Sequence, residues 1–247
     1  RLPQSNPDKK RATEETRHLW REFSAGLHFL LHNRVLMTLL ITMCLVLFSA
    51  GIAAPLSIFF AIQNLHIDVR LYGLLGAANG IGLVIGAALL GWFGQRIGLA
   101  RLFALGIVLI SALELLYVRQ SIFWLACLIL VVQGLPNAAM NVAFGPLVLK
   151  LVPREFLGRV WALILPAMNT ATLISTALTG YLVSTIFSNF HAQLFGLELG
   201  PYDTLMSLAG LLSLGAGIFA LFNLRGVDAA EQIEQDRNKP LDHSQTA

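Results

Sequence analysis

Gln133, Asn137 and Asn141 recur at intervals of four within residues 120–149, a stretch without a single charged side chain. On an α-helix they fall near one face, drifting about 40° per step. Gly134 and Pro136 stand among them. Pro136 leaves the carbonyl of Val132 without its helical donor, and Pro146 does the same to Val142. Three amides and a loosened backbone are costly against hydrocarbon, so the stripe faces a neighbouring helix or a water-filled cavity. As a cavity lining it would bind a small molecule; as helix packing each bond is worth about 0.6 kcal/mol. Asn169, Thr172, Thr176 and Thr179 repeat the theme beyond Pro166, more weakly, because hydroxyls also bond their own helix. Asn79 is a further candidate, with Thr38, Thr42, Ser49 and Pro55 behind it. Glu114 interrupts an otherwise apolar run from Leu102 to Val118. A carboxylate at such a depth costs about 2.5–3.5 kcal/mol and marks either a proton carrier or a group reaching the headgroups or Arg119.

Other chemistries find less support. Gly76-Ala-Ala-Asn79-Gly80-Ile-Gly82 looks like the glycine-rich turn of short-chain dehydrogenases, but residues 71–95 offer no charged face for the required wet helix. The better reading is close helix packing through the small pairs 76/80 and 82/86. The six histidines are scattered, and no metal-ligand spacing, phosphate loop or nucleophile motif occurs. The expectation is no metal, no cofactor and no enzyme.

The elements that must hold these residues follow from where charge is absent. The chain has 247 residues, 56% apolar and 13% charged, with a mean hydropathy of +0.69. Residues 35–67, 71–95, 120–149, 160–197 and 204–224 contain no Asp, Glu, Lys or Arg. A bilayer core needs roughly 20 helical residues, and helices satisfy their backbone internally. This predicts an all-α membrane protein with six spans, at about 35–62, 71–93, 102–118, 121–149, 160–187 and 204–224. All of the 17 lysines and arginines except Arg70 and Arg119 fall on one side. The positive-inside rule puts both ends in the cytoplasm. The same distribution accounts for the pI of about 9.1 without nucleic acid.

Residues 1–18 are polar and read as a cytoplasmic linker. Leu19, Phe23, Leu27 and Leu30 then recur at helical spacing opposite Arg17, Arg21 and His28. That pattern predicts an amphipathic interfacial helix over 19–34. Residues 225–247 read as a charged cytoplasmic tail, disordered or a short helix. The start at Arg1 rather than Met suggests a fragment or a processed product.

Two loops carry a resemblance. Gly91-Trp-Phe-Gly94-Gln95-Arg96-Ile-Gly98-Leu-Ala-Arg101 resembles the cytoplasmic loop motif of the major facilitator superfamily, with Gly91, Arg96, Gly98 and Arg101 matching and Gln95 replacing the usual Asp. Pro153-Arg154-Glu155-Phe156-Leu157-Gly158-Arg159-Val160 resembles a loop of the superfamily's exporter branch, which includes macrolide-efflux and enterobactin-exporter-like proteins. The entry from Glu22 to Leu30 is similar to that branch's lead-in to its seventh helix. The resemblance implies the C-terminal six-helix half of a twelve-helix transporter in the inner (plasma) membrane, partnered by an N-terminal half. It implies proton-coupled efflux of a hydrophobic drug-like compound or siderophore by rocking of the halves. Gly91, Arg96, Gly98, Arg101, Pro153, Gly158 and Arg159 would act at the cytoplasmic gate. The first, second, fourth and fifth spans would line the cavity, which makes Glu114 in the third a poorer coupling group and leaves the proton carrier to the first half. Two other readings stay open: a self-standing six-helix protein dimerising through its second or sixth span, and a membrane anchor or assembly factor.

Overall fold

A computed structural model describes residues 24, 26–93, 98–185, 192–194, 197–199 and 201–237. Six helices in it are long and apolar enough to cross a membrane. They are α1 (Arg34–Gln63), α2 (Tyr72–Phe93), α3 (Leu99–Tyr117), α4 (Phe123–Leu151), α5 (Leu157–Thr185) and α6 (Pro201–Arg237). The all-α, six-span expectation holds. A small addition lies between α5 and α6, where Ala192–Leu194 and Leu197–Leu199 pair as an antiparallel hairpin. The charged stretch after Arg225 continues α6 as helix to Arg237.

Local chemistry sets the helix starts. Residues 26–32 are helical and end at Asn33, whose Oδ1 accepts from the amides of Val35 and Leu36, each at 3.1 Å. This N-cap begins α1 as a separate helix. The interfacial helix expected over 19–34 therefore divides at Asn33, and its residues 19–23 and 25 lie outside the described residues, as does the linker 1–18. Leu30 is buried in the core, and Phe29 stacks on Phe156 at 5.2 Å, so residues 26–32 pack against the start of α5. Between α1 and α2 a single turn of 3₁₀ helix, Val69–Leu71, is capped by Asp68, whose carboxylate accepts from the Arg70 amide at 2.9 Å.

The helices pack in the order α2, α4, α3, α6, α1, α5. Only 22% of the α2 span and 17% of the α5 span is buried, against 50% of α1, so α2 and α5 form the two unwrapped edges. One apolar cluster, with Leu36, Phe103, Phe144 and Leu147, fills the end nearest the basic loops. A second, with Leu56, Phe60, Tyr117 and Met206, fills the other end.

Glycines set the tightest seam, between α2 and α4. A methyl on Gly82 would run into the carbonyl oxygen of Val131 and stand 3.0 Å from the Gly134 Cα, and one on Gly86 would stand 2.8 Å from the Leu135 Cα. The 82/86 pair thus packs as the spacing predicts. The 76/80 pair does not: neither glycine has a neighbour within 4 Å of its would-be methyl. Two of the α6 glycines are spent inside the bundle, because Gly210 meets Leu115 and Gly217 meets Val108 of α3.

Candidate substrate cavity

A cavity of about 380 Å³ opens among α1, α2, α3, α4 and α6. Its wall is mostly Ala, Gly, Leu, Ile, Val and Met, with polar groups from Ser49 and Ser57 of α1, Tyr72 and Asn79 of α2, Ser111 and Glu114 of α3, and Ser213 of α6. α1 and α4 make little contact, so the cavity reaches through to α3 and α6 behind them.

Most of the polar lining is tied to its own scaffold. Ser49 donates to the carbonyl of Leu45 at 2.9 Å. The hydroxyls of Ser111 and Ser213 bond each other at 2.8 Å across α3 and α6. Asn79 Nδ2 donates to the carbonyl of Leu130 on α4 at 3.3 Å. Ser57 and Tyr72 share a 2.6 Å hydroxyl bond that bridges α1 and α2. Glu114 Oε2 accepts from Gln133 Nε2 at 2.7 Å. Arg119 is not its hydrogen-bond partner among the described residues.

The amide stripe of α4 divides. Gln133 is buried and turned to α3, where its amide also reaches the carbonyl of Ile110 at 3.3 Å. Asn141 is exposed and donates to the side chain and backbone carbonyls of Asn137, at 2.8 and 2.9 Å. The drift of 40° per step accounts for this, because eight residues turn the chain by about 80°. None of the three lines the cavity; Gln133 acts on it through Glu114.

On α5, Asn169 is exposed and Thr172 is half-buried, its hydroxyl donating to the carbonyl of Met168 at 3.2 Å. Thr176 donates across to the carbonyl of Gly51 on α1 at 3.1 Å, and buried Thr179 back to Ser175 at 2.8 Å. Part of this stripe is therefore a seam with α1, while Asn169 and Thr176 remain exposed. Of the amide and hydroxyl candidates, Asn79 and the weaker Ser49 reach the cavity wall, together with the ionisable Glu114. Ser57, Tyr72, Ser111 and Ser213 escaped sequence reasoning, since isolated hydroxyls at no helical period carry no signal.

At the basic end, Gly91 and Gly158 are exposed with open space beside them. Arg96 lies outside the described residues. Gly98 caps α3, Pro153 is exposed in the turn before α5, and the Arg159 guanidinium lies 5.6 Å above the Phe156 ring. Arg101 is exposed beside a second cleft that it shares with Arg225. No cluster able to hold a metal occurs among the described residues.

Six spans around a lipid-depth cavity suit carriage of a solute, and the family comparison decides the class. Residues 38–243 match the family model described as Major Facilitator Superfamily. The chain belongs to that superfamily. Superfamily members are transporters rather than enzymes, and this one is a multi-pass membrane protein in contact with the bilayer. No curated protein matches the chain. In superfamily terms the open edges α2 and α5 are the second and fifth helices of a six-helix set, and α3 and α6, which form the floor of the cavity, are its third and sixth.

Proposed function

We propose that the chain is the C-terminal half of a proton-coupled exporter, working by alternating access against an N-terminal half seated over α1, α2, α4 and α5. The observation that carries this reading is the cavity itself: a drug-sized, mostly apolar space between thinly packed helices, whose floor holds the carboxylate of Glu114. The cargo is a hydrophobic drug-like compound or a siderophore, gripped by apolar walls and oriented by Ser57, Tyr72 and Asn79. Glu114 is the proton carrier this half offers. A carboxylate with one neutral amide partner at membrane depth holds its charge at high cost, so it exchanges a proton as the cavity changes access. Asn137, Asn141 and Asn169, open to the α4 and α5 surfaces, contribute to the wall completed by the partner half. The basic loops lie in the cytoplasm and act at its gate, in the plasma membrane, through Gly91, Arg96, Gly98, Arg101, Pro153, Gly158 and Arg159.

The test is efflux from energised vesicles by the natural gene product that carries this chain. Glu114→Gln should abolish the pH-gradient dependence of transport while leaving the protein folded. Asn137→Leu with Asn141→Leu should cut transport at least tenfold. Normal gradient-driven efflux by a well-expressed Glu114→Gln protein would reject the proton assignment, and normal efflux by the double variant would reject the α4 wall.

A further inference from the structure

Pro55 has no amide hydrogen, so the carbonyl of Gly51, four residues before it in α1, lacks its ordinary helical donor. At membrane depth such a carbonyl needs another. It finds one on a different helix: Thr176 Oγ1 of α5 donates to it at 3.1 Å. The same glycine opens the way, because a methyl on Gly51 would run into Ser175 Oγ and stand 2.8 Å from the carbonyl oxygen of Thr172. Acceptor and access are thus built into a single turn of α1.

The other hydroxyls on this face of α5 stay within their own helix. Thr172 donates to the carbonyl of Met168 at 3.2 Å, Ser175 to that of Thr172 at 2.9 Å and Thr179 to that of Ser175 at 2.8 Å. α5 is also the least buried of the six spans and packs chiefly on α1. A seam of small side chains whose hydroxyls are satisfied at home can part without stranding them. Parting strands the Gly51 carbonyl instead.

The turn that carries this carbonyl is also cavity wall, since Ser49, Ala50, Ala53 and Ala54 line the cavity. An unpaired carbonyl is costly in hydrocarbon, so release of α5 obliges this turn of α1 to shift until water or another donor meets the oxygen. We infer that Gly51, Pro55 and Thr176 form a latch through which the position of α5 sets the cavity wall at Ala50, Ala53 and Ala54. Closed, as here, it ties the least buried span to the helix behind it. Open, it frees α5 and moves the wall. Thr176 is a positioning residue: it acts on the cavity through Gly51, without touching what the cavity holds. The latch is independent of the cargo and of proton coupling, and neither is measured in its test.

The experiment uses the natural gene product that carries this chain, with its native cysteines replaced, in lipid nanodiscs. Spin labels at Trp124 and Tyr181, exposed residues toward the outer ends of α4 and α5, report the position of α5 by their distance distribution. Labelling of a cysteine placed at Ala50 by a water-soluble thiol reagent reports the wall. Thr176→Val keeps the shape and removes the donor. It should enlarge the displaced population of α5 about two- to tenfold, the weight of one hydrogen bond, and change the labelling rate by a similar factor. Pro55→Ala gives Gly51 its in-helix donor back, so it should act in the same direction, and the two together should add nothing further. Thr176→Ser should behave as the wild type. Thermal midpoints check each fold, and Pro55→Ala, which favours the helix, decides the matter should the valine variant not fold. Unchanged distances and labelling in the single variants overturn the inference, as do additive effects or a serine variant that behaves like the valine one. A shift of α5 with no change at residue 50 overturns it too, because helix and wall are then uncoupled.

Discussion

Gln133 on α4 donates a 2.7 Å hydrogen bond to Glu114 on α3, joining the only amide of its stripe that is buried to the carboxylate of the cavity floor. The bond holds the carboxylate toward α4. Gln133→Leu strips that donor and should lower stability by about 1–3 kcal/mol, the range for leaving a charged or strongly polar group short of a partner. Glu114→Leu in the same protein should recover part of the loss, because two apolar groups then meet. Unfolding of the single and double variants in detergent measures this non-additivity, and simple addition of the two effects would show that the pair is not coupled.

Two pairs of glycines, one facing across the α2–α4 seam and one on the open face of α2, should respond oppositely to the same change. Gly82→Ala on α2 and Gly134→Ala on α4 push a methyl into the facing backbone and should cost about 1–3 kcal/mol. Gly76→Ala and Gly80→Ala meet open space and should gain about 0.5–1 kcal/mol from the stiffer helix. Thermal midpoints of the four variants check it; equal losses from all four would mean that the 76/80 face is packed after all.

The ends of α1 and α6 away from the basic loops are clamped by Asn64, whose Nδ2 lies 2.8 Å from both carboxylate oxygens of buried Asp203. Asp203 stands in the first turn of α6, where the helix dipole favours its charge. Asn64→Ala should therefore cost about 1.5–3 kcal/mol, as for a hydrogen bond to a charged group. A denaturant titration reads the loss, and a change below 0.5 kcal/mol, roughly the surface level, would exclude the clamp.

Tyr72 and Ser57 bridge α1 and α2 at the rim of the cavity. Tyr72→Phe and Ser57→Ala each remove that bridge, so either should raise the labelling rate of a cysteine placed at Ala53 in the cavity wall, and the two together should add nothing further. Labelling by a water-soluble thiol reagent, in a protein whose Cys44 and Cys127 have been replaced, reports it.

How much of this was legible in the sequence depends on distance. The six spans were, because the exclusion of charge from 20-residue windows is a property of the chain and the bilayer alone. The superfamily was legible in the order of its loops. The fate of the α4 stripe was not: spacing shows that Gln133 and Asn141 are near one another on a helix, but which edge α3 covers is set by the packing order of the bundle. The place of Glu114 in the cavity wall was not legible either. A third helix lies behind the first and fourth, and nothing in its own residues says that α1 and α4 part widely enough for the cavity to reach it. The 76/80 and 82/86 glycine pairs look alike for the same reason, since each is judged by a partner helix some 50 residues away.

The packing order also bears on how the chain is inserted. α1 emerges from the ribosome before the other five helices, yet the two against which it chiefly packs, α5 and α6, begin only at Leu157 and Pro201. Until they arrive, Thr38, Thr42 and Ser49, which end up shielded within the protein, must face lipid or the insertion machinery. Folding of this domain is thus governed by its last-made segments, and a truncation before Pro201 should leave the earliest helix as prey for quality-control proteases.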